Sequence, residues 1–178
     1  MILDNATSNI VYGTCLAMAK SSLCKKARFG AVLYNQKSGL CVVGANNPIP
    51  ALAHVCEPDC IRMKIKSRTE SMIGACGHAE EAALWAALKS ENYEEGVLED
   101  ILQAEIFVLG LDAEGKPLVK SVAEFTCIRC ATGLYLAGVR GVNVWMGSGW
   151  ATIPIGDAIK QAHDYATQIR DVGDSYVA

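Results

Sequence analysis

No apolar run in the chain approaches the roughly 18 residues that a membrane span needs, so a membrane-embedded protein is not expected. Charge of one sign is also scarce. The formal net charge is −3, which argues against a general nucleic-acid coat and against a basic membrane-binding surface. The opening Met1-Ile2-Leu3-Asp4-Asn5 has neither a basic start nor a long apolar stretch, and no signal peptide is read there. Internal repeats, low-complexity tracts and interdomain linkers are missing too, so residues 1–178 are expected to form a single domain. Hydrophobic residues make up 51% of the chain and charged residues 20%, the balance of a soluble globular domain with a real core. Cysteine is not scarce. There are eight, an even number that could suggest disulfides. Without a secretion signal, and with metal-type spacing, they are read instead as the thiols of a cytoplasmic protein.

Residues 8–20 read as a helix capped by Ser8, with Ile10, Val11, Thr14, Ala17 and Met18 near helical spacing. Residues 31–34 and 40–44 read as an antiparallel hairpin turned by Asn35 to Gly39. An alanine-rich helix is expected from His78 to about Ser90, then an acidic exposed connection over 92–100. A strand follows over 104–109, a helix over 127–137 ended by Gly138, and a strand over 141–146. Gly147 to Trp150 reads as a flexible loop, and Asp157 to Arg170 as a last helix with Ile159, Ala162, Ala166 and Ile169 on one stripe. This alternation gives an α/β domain in which the strands joined by a helical crossover run parallel.

Two short stretches carry chemistry. Cys76-Gly77-His78-Ala79-Glu80 holds one, and Thr126-Cys127-Ile128-Arg129-Cys130 the other. One histidine and two cysteines are the right donors for a zinc ion with one position left open for water. Zinc lowers the pKa of that water toward neutrality. Glu80 lies two residues past His78 and so on another helix face, which makes it a poor ligand. At an exposed helix start it still reaches the water and can shuttle its proton. A purely structural zinc would want a fourth protein ligand and has no use for Glu80.

Between Pro48 and Cys76 the periodicity is poor, which suggests a functional, metal-tied or mobile insertion. His54, Cys56, Cys60 and Cys76 offer four ligands for a second, structural ion. Buried thiols with a surface histidine are the other reading. Arg62, Lys64, Lys66 and Arg68 read as a solvated face. Trp150 reads either as core packing or as a cover for a base, since bases stack on aromatics.

His-Ala-Glu followed by Cys-x-x-Cys resembles the zinc-dependent cytidine and deoxycytidylate deaminase superfamily over roughly residues 8–147. Its deoxycytidylate branch is the most similar, through Arg28-Phe29-Gly30-Ala31-Val32, Gly44-Ala45-Asn46 and the Cys/His residues before His78. Two positions depart from the family pattern. Ala82 stands where an Asn is usual, and Thr126 where a Pro is usual. The resemblance implies a three-layer α/β/α fold with a central mixed sheet. It implies a catalytic zinc on His78, Cys127 and Cys130, with Glu80 as proton shuttle. It places the substrate against Asn46, Arg28 and Ala79, and Trp150 is the further candidate read from its own position after the strand. It also implies hydrolytic deamination of a cytosine nucleotide, deoxycytidylate to deoxyuridylate, by a homo-oligomer. A nucleoside or base substrate, or a tRNA adenosine, stands as the alternative within the class, although the acidic balance argues against a large RNA partner. A non-catalytic, zinc-stabilised nucleotide-binding module is the alternative from another class.

Overall fold

The computed structural model describes residues 3–60, 63, 76–89 and 97–174. The first helix, α1 (Asn5–Ser21), starts earlier than its sequence suggests. Asp4 caps it, because the Asp4 carboxylate accepts the Thr7 backbone N–H at 2.8 Å and so satisfies an otherwise orphaned donor. The buried face of α1 is Val11, Cys15 and Ala19, at i, i+4 and i+8. Ile10, expected on that face, is exposed.

Strands β1 (Arg28–Tyr34) and β2 (Cys41–Ala45) form the expected antiparallel hairpin. A two-residue strand β3 (Asn47–Pro48) pairs with β4 (Cys76–Gly77), closing the base of the intervening segment. A 3₁₀ helix, Pro50–Cys56, opens that segment. Then follow α2 (Ala79–Leu88), α3 (Val97–Leu102), β5 (Glu105–Leu111), α4 (Val122–Phe125), α5 (Ile128–Leu136), β6 (Gly141–Trp145), β7 (Trp150–Pro154) and α6 (Ile155–Asp174). The acidic connection expected over 92–100 is helical from Val97.

The main sheet has the order β2-β1-β5-β6-β7. It is mixed. Only the β5–β6 pair, joined through α5, is parallel, and the other neighbours are antiparallel. All seven residues of β5 are buried, as a strand covered on both faces requires. On one face α1 packs against Val32, Phe107, Leu109 and Leu111. On the other, α2, α5 and α6 cover Leu33, Ile106, Val108, Val142 and Val144. These are three layers, α/β/α, as expected.

β7 was not expected. The chain turns at Gly147, whose φ of 92° suits glycine, and Met146 N–H reaches the Gly149 carbonyl at 2.8 Å. Trp150 to Pro154 then runs back along β6 as an edge strand, the place where a strand tolerates proline. One glycine fixes the position of the functional helix. A side chain on Gly44 would strike the Ala79 carbonyl and the Ala83 nitrogen of α2. The missing Cβ lets α2 lie directly on β2, with Ala79 and Ala83 fully buried at the contact.

Candidate metal centre and pocket

His78 and Cys127 occupy equivalent places. Each is the N-cap of a helix, His78 of α2 at φ −80°, ψ 157° and Cys127 of α5 at φ −76°, ψ 158°. Cys130 stands one turn into α5. His78 Nδ1 lies 3.2 Å from Cys130 Sγ and 3.3 Å from Cys127 Sγ. Among the described residues, only these three form a group whose metal-donor atoms all lie within 4.8 Å of one another. Tetrahedral zinc with ordinary Zn–N and Zn–S lengths sets such atoms about 3.5 Å apart, so the donor set fits the ion.

The electrostatics agree. A hydrogen bond from Cys130 pulls the Cys127 thiol down to a pKa of about 3, against its burial, and His78 adds to the effect. Cys130 is held up as the proton-bearing partner. Burial works against a charged His78, but the Cys127 thiolate and Glu80 outweigh it and raise its pKa. Two helix N-termini face the cluster and favour its negative charge. The protons on His78 and Cys130 are those that a dication displaces.

Two further residues hold the helices together. Glu81 Oε2 accepts the His78 backbone N–H at 3.1 Å. The same carboxylate receives Arg129 through both oxygens, Nε to Oε1 at 2.7 Å and Nη2 to Oε2 at 2.7 Å. Arg129 sits between the two cysteine ligands in sequence, so the pair joins the start of α2 to the start of α5. Sequence reasoning passed over both. A glutamate three residues after a cap position was the available signal.

Glu80 is 4% exposed, and burial raises its pKa to about 7. It lines a cavity of about 240 Å³ together with His78 and Cys127. Phe29, Leu118, Phe125 and Ile128 give the cavity apolar walls, and Tyr165 of α6 faces it from the C-terminal side. Phe29 and Phe125 meet edge to face at 5.9 Å. The site thus combines an apolar pocket, a metal-donor triad and a buried carboxyl poised near neutrality.

The residues expected to bind substrate divide. Ala79 and Asn46 line the cavity. The Asn46 side chain is occupied, however. Its Oδ1 accepts the Ser22 hydroxyl at 2.7 Å and the Phe29 N–H at 2.6 Å, and its Nδ2 donates to the Ala27 carbonyl at 2.8 Å. Asn46 therefore pins the stretch from Ser22 to Phe29 against the pocket.

Arg28 lies elsewhere. It is not part of the cavity lining, and its guanidinium reaches the Asp112 carbonyl at 3.5 Å and lies beside Gly115. Strand alternation explains the difference, since Arg28 stands next to Phe29 on β1 and only one of two neighbours can face the pocket. Trp150 lies on the opposite face of the sheet. It packs edge to face on Phe107 at 5.2 Å and on Trp145 at 5.4 Å, in the cluster covered by α1. Its place on β7 turns it there, so it is core and not a cover for a base.

The second cysteine group also differs from its sequence reading. Cys56, Cys60 and Cys76 are buried against one another. His54 is exposed on the 3₁₀ helix, and Cys24 instead accepts a hydrogen bond from Cys76. Arg62, Lys64, Lys66 and Arg68 lie outside the described residues.

Fold and site together define a three-layer α/β protein with a His-Cys-Cys donor cluster, able to hold a metal ion, at two helix starts. Cytidine deaminases are among the solved structures similar to the chain. The enzyme from Burkholderia pseudomallei is 17% identical, aligns over 84% of this chain and 94% of its own, and has a TM-score of 0.51. Those from Mycobacterium tuberculosis and Mycobacterium leprae are 15% and 14% identical, each over 84% of this chain and 90% and 94% of their own, at a TM-score of 0.47. At 17% identity the first likeness is one of fold. No family model and no curated protein matches the chain.

Proposed function

We propose that the protein is a zinc-dependent hydrolytic deaminase of a cytosine nucleotide, with deoxycytidylate as substrate and deoxyuridylate and ammonia as products. The observation that carries this reading is Glu80, a buried carboxyl with a pKa of about 7 beside a three-donor site that opens on a pocket. His78, Cys127 and Cys130 are the residues to hold the ion. Zinc bound there supplies a water acidic enough to ionise near neutral pH. Glu80 takes a proton from the attacking water and delivers it to N3 of the ring. It then passes the second proton to the departing amino group, so water and the amino compound give a carbonyl and ammonia. A pKa near 7 suits a group that must accept and return protons at neutral pH. The apolar walls, Phe29 and Phe125 among them, hold a flat ring and exclude bulk water. Asn46 shapes the wall by fixing the Ser22–Phe29 stretch.

A non-catalytic zinc module is the other class of reading. Glu80 disfavours it, because burying a carboxyl costs stability that such a module does not need. Ammonia release from cytosine and adenine bases, nucleosides and nucleotides separates the readings. Deoxycytidine monophosphate should be the fastest, and equal activity on deoxycytidine would remove the nucleotide assignment alone.

Three further points bear on the same proposal. The second ion expected on His54, Cys56, Cys60 and Cys76 is no part of it, because His54 is exposed and these described residues form no second donor group within 4.8 Å. Elemental analysis should give one zinc ion per chain, and two per chain would contradict this. Homo-oligomer formation is supported by Trp85 on α2 and by Tyr135 and Leu136 on α5, all large and more than half exposed. Light scattering at a monomer mass would refute it. A cytoplasmic location is supported by eight free cysteines, and localisation of a tagged chain to an oxidising compartment would refute it.

A further inference from the structure

Four thiols meet beside the pocket without belonging to the donor triad. Cys56, Cys60 and Cys76 are buried in mutual contact, and Cys24, Cys60 and Cys76 line the cavity. Cys24 reaches this group from far along the chain, and three ties place it there. The Leu23 N–H donates to Asn47 Oδ1 at 2.8 Å, and Asn47 pairs with Gly77 as Pro48 pairs with Cys76. The Cys24 N–H donates to Ser22 Oγ at 3.2 Å. Lys25 Nζ donates to the Pro58 carbonyl at 2.6 Å and to Glu57 Oε2 at 3.0 Å, just past Cys56. Together they bring Cys24 into direct contact with Cys76, whose thiol donates a hydrogen bond to it. None of the eight cysteines is in a disulfide. The two partners differ in access. Cys24 is half-buried where it lines the cavity, whereas Cys76 is only 6% exposed.

We infer that Cys24 and Cys76 form a thiol modification site in the pocket wall, a pair that takes a small-molecule disulfide and closes to a disulfide of its own. The Cys24 thiol gives up its proton and attacks one sulfur of the incoming disulfide. The S–S bond of that compound breaks, and its first half leaves as a thiolate that takes up the proton. The mixed disulfide on Cys24 then lies against Cys76. Cys76 gives up its proton in turn, attacks the Cys24 sulfur and expels the second half as a thiol. Two cysteine thiols are oxidised and one small disulfide is reduced to two thiols, so electrons and protons balance. Access sets the order, because a reactive thiol must be reached and the buried Cys76 is reached second. The crosslink joins the Ser22–Phe29 stretch, which walls the pocket, to β4, which runs directly into His78. In a reducing compartment a disulfide of this kind is transient and redox-sensing. The inference does not depend on what the pocket binds.

The experiment incubates the zinc-loaded protein with oxidised glutathione and maps its cysteine peptides by mass spectrometry. Zinc keeps Cys127 and Cys130 engaged as thiolate ligands and out of the exchange. In the unaltered protein a Cys24–Cys76 crosslink should form, with glutathione retained on neither residue, and dithiothreitol should restore both thiols. Cys76→Ser should stop at glutathione bound to Cys24, since the second attack is lost. Cys24→Ser should slow the oxidation of Cys76 by at least about tenfold, because the accessible thiol is gone. Circular dichroism reports whether each variant is folded, and the map of the unaltered protein decides alone where one is not. Unreacted Cys24 and Cys76, glutathione left on Cys24 of the unaltered protein, or a crosslink of Cys24 or Cys76 to another cysteine overturns the inference. So does an oxidation of Cys76 that Cys24→Ser leaves equally fast.

Discussion

In the proposed reaction Glu80 handles protons, and its placement fits that role. It is buried, it shares the cavity with two of the donor residues, and it is raised into the range where it both accepts and returns a proton. Glu80→Gln is nearly isosteric and leaves His78, Cys127 and Cys130 untouched. Zinc content and melting temperature should stay at the unaltered values while turnover falls by at least about 10²–10⁴-fold, the usual span of acid–base contributions. Retention of more than about a tenth of the rate would falsify its role as shuttle. Glu81 and Arg129 work differently. Their ion pair touches no donor atom, yet it ties together the two helix starts that carry the donors. Arg129→Ala should therefore weaken zinc binding by about 10–100-fold, as loss of a supporting partner of a metal site commonly does. Competition with a chelating dye measures this, and an unchanged zinc affinity would show that α2 and α5 hold their places without the clamp.

At the scale of elements, the site depends on how closely α2 approaches the sheet. Gly44 and the alanines of α2 set that distance. Gly44→Val puts side-chain atoms where the Ala79 carbonyl and the Ala83 nitrogen stand, and backbone cannot yield as a flexible side chain can. Overpacking of this kind costs about 1–3 kcal/mol. Urea unfolding should show that loss together with weaker zinc binding, because His78 moves with α2. Unchanged stability would mean that the helix is not seated by this contact. The elements that bear the site were legible in the sequence. His78 and Cys127 were visible as paired motifs at helix starts, and β5 as a strand over 104–109. β7 was not legible, because Gly147-Ser148-Gly149 reads as a loop and an edge strand ending in Pro154 carries only half of the usual alternation. Trp150 was misplaced for that reason. Once it belongs to a strand, alternation turns it toward Phe107 and α1. Arg28 failed through the same rule on β1.

For the whole molecule, residues distant in sequence meet at one pocket. The Ser22–Phe29 stretch, the start of α2, the segment before α4, the start of α5 and the inward face of α6 all contribute to it. This convergence could not be read from local pattern. Only the spacing of His78, Cys127 and Cys130 pointed to it. The fourth thiol, Cys24, was missed because it lies far in sequence from Cys56, Cys60 and Cys76, and contact across the fold alone brings it to Cys76. Metal binding should couple to the stability of this whole assembly. At a free zinc concentration of about a hundred times Kd, binding adds about 2.7 kcal/mol. Stripping the ion should then lower the melting temperature by about 5–10 °C for a chain of this size. A calorimetric scan checks this, and an identical transition with and without zinc would place the ion outside the folded core. The central claim is tested most directly by following ammonia released from deoxycytidine monophosphate as zinc is removed by a chelator and then restored. The account predicts release proportional to occupancy of the His78-Cys127-Cys130 site, lost on chelation and regained with zinc. Release that persists in zinc-free protein, or none from any cytosine compound with that site filled, would contradict it.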